Sequence, residues 1–477
     1  MARPYRSQVS WHIIRAILSP ALLVSCILNL VSELCILNLV SELREQTSRC
    51  VACGLCLPTC PTYRKTASEN ESPRGRIALI RALADGALAP SRRLEAHLAL
   101  CLTCRACEHA CPSEVAYGRI IDEGRALLEQ RRNRQPISTR LARWTLDRVL
   151  ARPENTDAAV KWLHVYQRSG LQRFLRASGL LWLLGLSRLD RLLPRLESGH
   201  AWRTMSAAAG ERRGRVALFS GCVSGSLDRR TLDAAILVLS EMGYEVHRPR
   251  SQRCCGALHR HAGEPDKAAE LMRANLSAFA PLEADAVLYS ASGCGAMLAE
   301  YGELAGNKAG PAFAGRLRDI SQFITETPWP AALRLRALPR RVAVHDPCTL
   351  RHVLRQQDKV YTLLRKIPGV ELIALPGNDI CCGGAGLYPV TQADMAQRLL
   401  ADKLDQLRRL EPDILVTSNI GCALHISAGI RQAKLDIEVI HPIELIARQI
   451  QDETDTRYKE QDTRKVTSSQ LAEEKGK

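Results

Sequence analysis

From residue 215 onward, short unbroken apolar runs alternate with longer stretches in which apolar residues recur every three or four positions. The runs are Arg215–Ser220, Ala286–Tyr289, Arg341–Asp346 and Ile414–Thr417, each the length of a strand buried on both faces. With the helices between them they predict two successive β/α/β units, at 215–335 and 341–450. Upstream, Ile77–Leu83 is apolar-periodic and predicts a helix. Leu180–Leu196 is dense in leucine, with Arg188, Arg191 and Arg195 interspersed. That is the pattern of a basic amphipathic helix, lying on a membrane interface or packed on the protein with its arginines in water. The tail, Gln451–Lys477, is charged and aperiodic and is expected to be disordered.

Residues 1–44 follow another rule. The nonapeptide CILNLVSEL occurs twice without a gap, at Cys26–Leu34 and Cys35–Leu43. Nine residues advance a helix by two and a half turns, so the two copies face opposite ways. The longest uncharged run, Ala16–Ser32, contains Pro20 and Asn29 and is at the short edge for a bilayer span. No A-x-A cleavage site follows it. The segment therefore reads as an atypical, dispensable extension, with a membrane anchor as the alternative.

Length and composition narrow the classes. The chain has 477 residues, 46% hydrophobic, enough for several domains with real cores. The formal charge is +16, which by itself suggests nucleic acid or an anionic surface. It is concentrated, because residues 131–215 hold 18 Lys+Arg against 6 Asp+Glu. Aromatics are only 4%, too few for the base-stacking of a nucleic-acid binder, so no nucleic-acid partner is expected.

The 18 cysteines carry the chemistry. Eight form two copies of C-x2-C-x2-C-x3-C-P: Cys50, Cys53, Cys56 and Cys60 before Pro61, then Cys101, Cys104, Cys107 and Cys111 before Pro112. This is the two-cluster ferredoxin run, in which the fourth cysteine ligates the other cluster. The expected sets are Cys50, Cys53, Cys56 and Cys111 for the first [4Fe–4S] cluster, and Cys101, Cys104, Cys107 and Cys60 for the second. Zinc sites use pairs of C-x2-C rather than two matched quartets. Vicinal and crowded thiols make poor disulfides. The long insertion between Cys60 and Cys101 suggests a helical variant of the module over 45–130. Positive charge stabilises a reduced cluster, so Arg105 predicts the higher potential at the Cys101 set, unless Glu108 cancels it.

Eight more cysteines form a longer repeat. In its first copy Cys222 is followed at a distance by the triplet Cys254-Cys255-Gly256 and then by Cys294. In its second copy Cys348, Cys381-Cys382-Gly383 and Cys422 keep the same order at nearly the same intervals. Each set begins at the end of a predicted strand, and Cys294 and Cys422, which close the sets, each follow a glycine after an apolar run, as suits close approach to a bulky cofactor. One further iron–sulfur cluster per repeat is the reading favoured over resting thiols. Cys26 and Cys35 belong to neither set.

The whole combination resembles the iron–sulfur subunit family of bacterial glycolate oxidase (glycolate dehydrogenase). The motifs that carry the resemblance are CVACGLCLPTCPTY, SPRGRIALI (Ser72–Ile80), CLTCRACEHACP, ASGCGA (Ala291–Ala296), CCGGAGLY (Cys381–Tyr388) and SNIGC (Ser418–Cys422). It implies a mixed fold: an α-helical two-cluster ferredoxin domain, a helical bridge at 131–214 and two duplicated α/β cysteine-rich (CCG) domains. It also implies an electron-transfer subunit, hetero-oligomeric with an FAD-binding flavoprotein that oxidises glycolate to glyoxylate. Electrons would pass on to quinone or another membrane acceptor, and the chain would be cytoplasmic and peripheral on the membrane face. The anaerobic glycerol-3-phosphate dehydrogenase subunit and related 2-hydroxy-acid dehydrogenases are the alternatives within the class, and a cysteine-based redox sensor is the alternative outside it. In relatives of the heterodisulfide reductase B type the last cysteine sits in C-x2-C, whereas here those positions are Met297 and His425. Met297 reads as packing; His425 reads as packing with ligation as its alternative. No dinucleotide or phosphate-loop fingerprint is present, and Gly383-Gly384-Ala385-Gly386 fits a cluster loop better. No catalytic residue is therefore expected on this chain.

Four thiolates around a 2+ cubane leave it at about −2, so the formal +16 falls to about +12 with two clusters and about +8 with four. The remaining surplus lies in the bridge.

Overall fold

A computed structural model describes residues 36–132, 140, 143–194, 196 and 202–451. The first nonapeptide copy and the tail beyond 451 lie outside the described residues.

The N-terminal module is helical, as expected. Its first described element is α1 (36–48), so residues 36–44 pack with the module, although the sequence placed them in a dispensable extension. Ile36, Leu39, Val40 and Leu43 recur at the spacing of one helical face, and Val40 and Leu43 are buried in the module's core with Ile80, Leu94 and Ile120. The second nonapeptide copy alone supplies that face, so the opposed orientation of the two copies does not prevent packing. The module therefore begins before residue 45. Next come α2 (Pro73–Ala84) and α3 (Tyr117–Gln130), which pack closely. A Cβ at Gly124 of α3 would meet Ile80 of α2 at 2.6 Å.

Among its described residues the bridge is a chain of helices, with α4 (Pro153–Arg168) the longest of them. Leu180–Leu196 is not one amphipathic helix. It divides into Leu180–Leu183 and Ser187–Leu192, because Gly185 takes a left-handed φ of 69° between them. The bridge also ends earlier than expected: β1 (Met205–Ser206) pairs antiparallel with β3 (Tyr244–His247) and so belongs to the first sheet.

That sheet has the order β1-β3-β2-β4-β5, with β2 (Gly214–Phe219), β3, β4 (Ala286–Tyr289) and β5 (Leu317–Asp319) parallel. Its crossovers include α5 (Arg229–Glu241), α6 (Pro265–Phe279) and α7 (Ser292–Leu304). The second sheet is wholly parallel, β7-β6-β8-β9, from β6 (Arg341–His345), β7 (Glu371–Ala374), β8 (Ile414–Thr417) and β9 (Glu438–Ile440). With it go α8 (Ala393–Leu410), α9 (Ile420–Ala433) and α10 (Pro442–Gln449). The four predicted strands β2, β4, β6 and β8 are all buried centrally. One apolar core joins the two units, running from Val216 and Leu232 to Val342, Leu363 and Ile443. Across it the Thr231 hydroxyl donates to Glu444 Oε1 at 2.6 Å. Among the described residues no helix is long and apolar enough to cross a membrane.

Candidate iron–sulfur centres

In the N-terminal module the two cysteine runs interleave. Cys50, Cys53, Cys56 and Cys111 line one cavity, and Cys60, Cys101, Cys104 and Cys107 line a second. The crossed fourth cysteines are thus brought to the sets expected for them, although Cys107 touches both cavities. Each loop turns by the same device. Ala52 and Gly54 flank Cys53 with φ of 55° and 87°, and Thr103 and Arg105 flank Cys104 with φ of 51° and 58°. Left-handed backbone at a β-branched threonine is strained. Such strain is tolerated where the loop must turn its thiols inward. Burial pushes the Cys104 and Cys107 thiols well up, so these are buried neutral thiols that a metal would convert to ligands.

The segment Ser72–Arg76 builds the wall between the cavities. Ser72 caps α2 by accepting from the Gly75 N–H at 2.9 Å. A Cβ at Gly75 would meet the Glu69 carbonyl oxygen at 1.9 Å, so glycine is required there. Arg76 is buried to 1% exposure and lines the second cavity. Its guanidinium donates to Glu71 Oε2 at 2.7 Å, to Thr62 Oγ1 at 3.1 Å and to the His97 carbonyl at 2.8 Å. Arg105 also lines that cavity, but it pairs with Glu108 at 2.6 Å and Glu300 at 2.5 Å. Its charge is cancelled twice over, so the expected Arg105 effect on potential has lost its basis. Arg76 lies beside that set too, but its guanidinium is paired with Glu71 at 2.7 Å, so it brings no unpaired charge there either.

In each C-terminal unit the four cysteines gather at the carboxyl ends of three adjacent parallel strands. Cys222 follows β2, Cys254 and Cys255 follow β3, and Cys294 lies in the first turn of α7 after β4. Cys348, Cys381–Cys382 and Cys422 occupy the same places after β6, β7 and β8. Because the chain leaves the central strand first to one side and then to the other, this is the switch-point crevice of a doubly wound sheet. Cys222 Sγ is 3.4 Å from Cys254 Sγ, and Cys348 Sγ is 3.8 Å from Cys381 Sγ. Gly256 and Gly383 have φ of 89° and 88°. A Cβ on either would press on the backbone of α6 at Ala268 or of α8 at Ala396, which explains the Cys-Cys-Gly triplet.

The two sites differ in their electrostatics. Hydrogen bonds from Cys222 and Cys255 hold the Cys254 thiol well down. In the second site Cys381 and Cys422 do the same for Cys382, the other member of its vicinal pair. His345, at the end of β6, also points there: one of its ring nitrogens and the Cys382 and Cys422 sulfurs all lie within 4.8 Å of one another. The sequence reading missed His345. Its signal was the position, because the first repeat has Phe219 where the second has His345. Lys403 was missed too; it is 2% exposed on α8, and its Nζ donates to the Gly377 carbonyl at 2.5 Å. Burial lowers its pKa while the nearby Cys382 and Cys381 thiols oppose that shift. Met297 is buried in the apolar cluster around the first site. His425 hydrogen-bonds the Ala396 carbonyl at 3.3 Å and stands outside the His345 group.

The sets are packed in succession. Cys104, Leu102 and Ala106 share an apolar cluster with Cys381, Tyr388 and Cys348, and the Tyr388 hydroxyl donates to the Leu100 carbonyl at 2.9 Å. The two C-terminal sites are tied by the Gly293 N–H, which donates to Asn419 Oδ1 at 3.2 Å. The Asn419 amide in turn reaches Cys422 Sγ at 3.4 Å. Donor chemistry, inward-turned loops and burial all fit resident iron–sulfur clusters.

Comparison with known proteins agrees. A 4Fe-4S dicluster domain matches residues 46–115, and a cysteine-rich (CCG) domain matches residues 216–299 and 342–427. The linker region of glycolate oxidase iron–sulfur subunits matches residues 138–193. A probable glycolate oxidase iron–sulfur subunit of Bacillus subtilis (strain 168) is 36% identical over 412 residues, covering 83% of this chain and 92% of that protein. The glycolate oxidase iron–sulfur subunit of Escherichia coli (strain K12) is 33% identical, covering 82% and 92%. Lactate utilization protein A of Geobacillus thermodenitrificans is 27% identical over 49% of this chain and 98% of its own.

Proposed function

Because the chain belongs to the family of glycolate oxidase iron–sulfur subunits, we propose that it receives electrons from an FAD-binding flavoprotein and delivers them toward quinone. The flavoprotein would oxidise glycolate to glyoxylate, releasing two electrons and two protons. Bound clusters would supply one-electron transfer, splitting that two-electron step. The Cys50, Cys53, Cys56 and Cys111 set would hold one [4Fe–4S] cluster, the Cys101, Cys104, Cys107 and Cys60 set the other, and each C-terminal set one more. The observation that carries this reading is the packing of the ligand sets against one another, from Cys104 to Cys381 and from Gly293 to Asn419 and Cys422.

The chain's own residues would do three things. Thr103 and Arg105 hold the loop turned inward. Leu102, Ala106 and Tyr388 exclude water between two of the sets. Val51 and Leu55, 70% and 58% exposed, leave the first set near the surface for a partner. The bridge offers a second face, with Trp162, Phe174 and Trp182 exposed on a strongly basic segment. Exposed tryptophan among arginines suits an anionic membrane interface, which supports a peripheral place on the cytoplasmic membrane face.

One experiment tests the whole reading. A tagged chain purified anaerobically should contain about sixteen irons and as many sulfides. It should be recovered from the membrane fraction with a flavin-containing, glycolate-oxidising partner. Changing Trp162, Phe174 and Trp182 to Ser should move it off the membrane with its iron intact. Stoichiometric zinc in place of iron, or a glycerophosphate-oxidising partner, would overturn it.

A further inference from the structure

The two cysteine-rich repeats can be laid over one another residue by residue, and at one position they part chemically. β2 reads Arg215-Val216-Ala217-Leu218-Phe219 and β6 reads Arg341-Val342-Ala343-Val344-His345. The strands end just ahead of Cys222 and Cys348, at matching positions. In the first repeat Phe219 behaves as core. It lies 6.1 Å from Phe279, centroid to centroid, inside the apolar cluster that holds Cys222, Cys254 and Cys255.

His345 has the same backbone place and the same burial, at 2% exposure, but an imidazole buried there needs partners for both ring nitrogens. Nδ1 meets the Thr417 hydroxyl of the neighbouring strand β8 at 2.9 Å. Beside that bond, a ring nitrogen of His345 and the Cys382 and Cys422 sulfurs all lie within 4.8 Å of one another. A histidine whose ring is oriented by a hydrogen bond and which also reaches two cysteine sulfurs has the arrangement of a metal-ligating imidazole. Thr417 occupies the orienting role, itself buried. His425, the histidine suggested by its place in the sequence, is turned to the Ala396 carbonyl instead.

We propose that His345 is an iron ligand of the second cysteine-rich centre, beside Cys382 and Cys422, and that the first centre, with Phe219 in its place, is held by thiolates alone. The duplicated domains then carry two chemically different centres. The inference rests on the reading that the repeats hold iron at all.

The test uses the full chain, purified anaerobically, with and without 15N-histidine, and hyperfine spectroscopy in both reduced and oxidised states. A directly bound histidine nitrogen is expected in the native chain. It should change with the isotope and vanish in His345→Phe, which copies the first repeat's own residue. If His345→Phe does not fold, Thr417→Val keeps the ligand and frees its ring, and should alter that same coupling at unchanged iron content. About sixteen irons per chain with no histidine coupling, or a coupling that survives His345→Phe, would overturn this inference alone. About eight irons, with the ferredoxin-type signals intact, would overturn the reading of iron in the repeats and this inference with it.

Discussion

At the scale of single residues, the charges around the cysteine sets are not those that the local sequence suggests. Arg105 was a visible candidate because it lies inside a cysteine run, yet two carboxylates take its charge, one of them Glu300 from 195 residues away. Nothing local in the sequence announces that pairing. Lys403 is the opposite case: it sits in the middle of an ordinary amphipathic helix, where a lysine reads as solvated. Folding instead turns it inward, with its Nζ on the Gly377 carbonyl and the second site's thiols around it. A unit charge roughly 8 Å away, at an effective dielectric of about 20, is worth ~2 kcal/mol. That corresponds to on the order of 90 mV for a one-electron couple. Lys403→Met keeps the length and removes the charge, so it should lower the potential of the second cysteine-rich centre by tens of millivolts. The ferredoxin-type centres should not move. A redox titration followed by electron paramagnetic resonance checks this, and an unchanged potential would remove Lys403 from the electrostatics of the site.

Among elements, those with an unambiguous period were legible and those punctuated by glycine or duplicated in tandem were not. β2, β4, β6 and β8 are short, wholly apolar and end beside a cysteine, so pattern and chemistry agreed on them. Leu180–Leu196 has enough leucine to read as one helix, but Gly185 breaks it, because left-handed backbone costs glycine little. β1 was invisible, since two residues at Met205–Ser206 carry no period at all. The helix over 36–48 is the instructive miss. Its face was present in the second nonapeptide, but considering both copies together hid it. Leu43 is fully buried among Ile80, Leu94 and Ile120, so Leu43→Ala should cost ~2–4 kcal/mol by transfer and cavity formation. The check is thermal unfolding of the anaerobic protein. A loss no larger than an ordinary surface substitution gives would mean that α1 is only loosely docked. Residues 36–44 would then be dispensable to the module.

For the whole molecule, what matters is that the four cysteine sets are contiguous, although the sequence separates them by long stretches. Spacing within each set was readable from the chain, because a cubane or a strand-end loop imposes it locally. Contact between sets was not, because it depends on how the module lies on the sheets. Asp122 of α3 meets His261 at 2.9 Å, and Lys65 meets Asp402 at 2.7 Å. The N-terminal module is thereby fastened to both cysteine-rich units. With Cys104 in one apolar cluster with Cys381 and Cys348, clusters held by the Cys101 and Cys348 sets would be near enough for their unpaired spins to interact. The first set, with Cys53 exposed, stands outside that contact. Partially reduced protein should therefore show split resonance signals that arise only when both of those two centres are paramagnetic. Replacing Cys381 and Cys382 by Ala should remove the splitting that depends on the Cys348 set, leaving the signals of both ferredoxin-type clusters and any splitting between them, since their cavities share Cys107. If the splitting is unchanged in that variant, it comes from the two ferredoxin-type clusters alone. The route into the sheets would then need another contact than the one between Cys104 and Cys381.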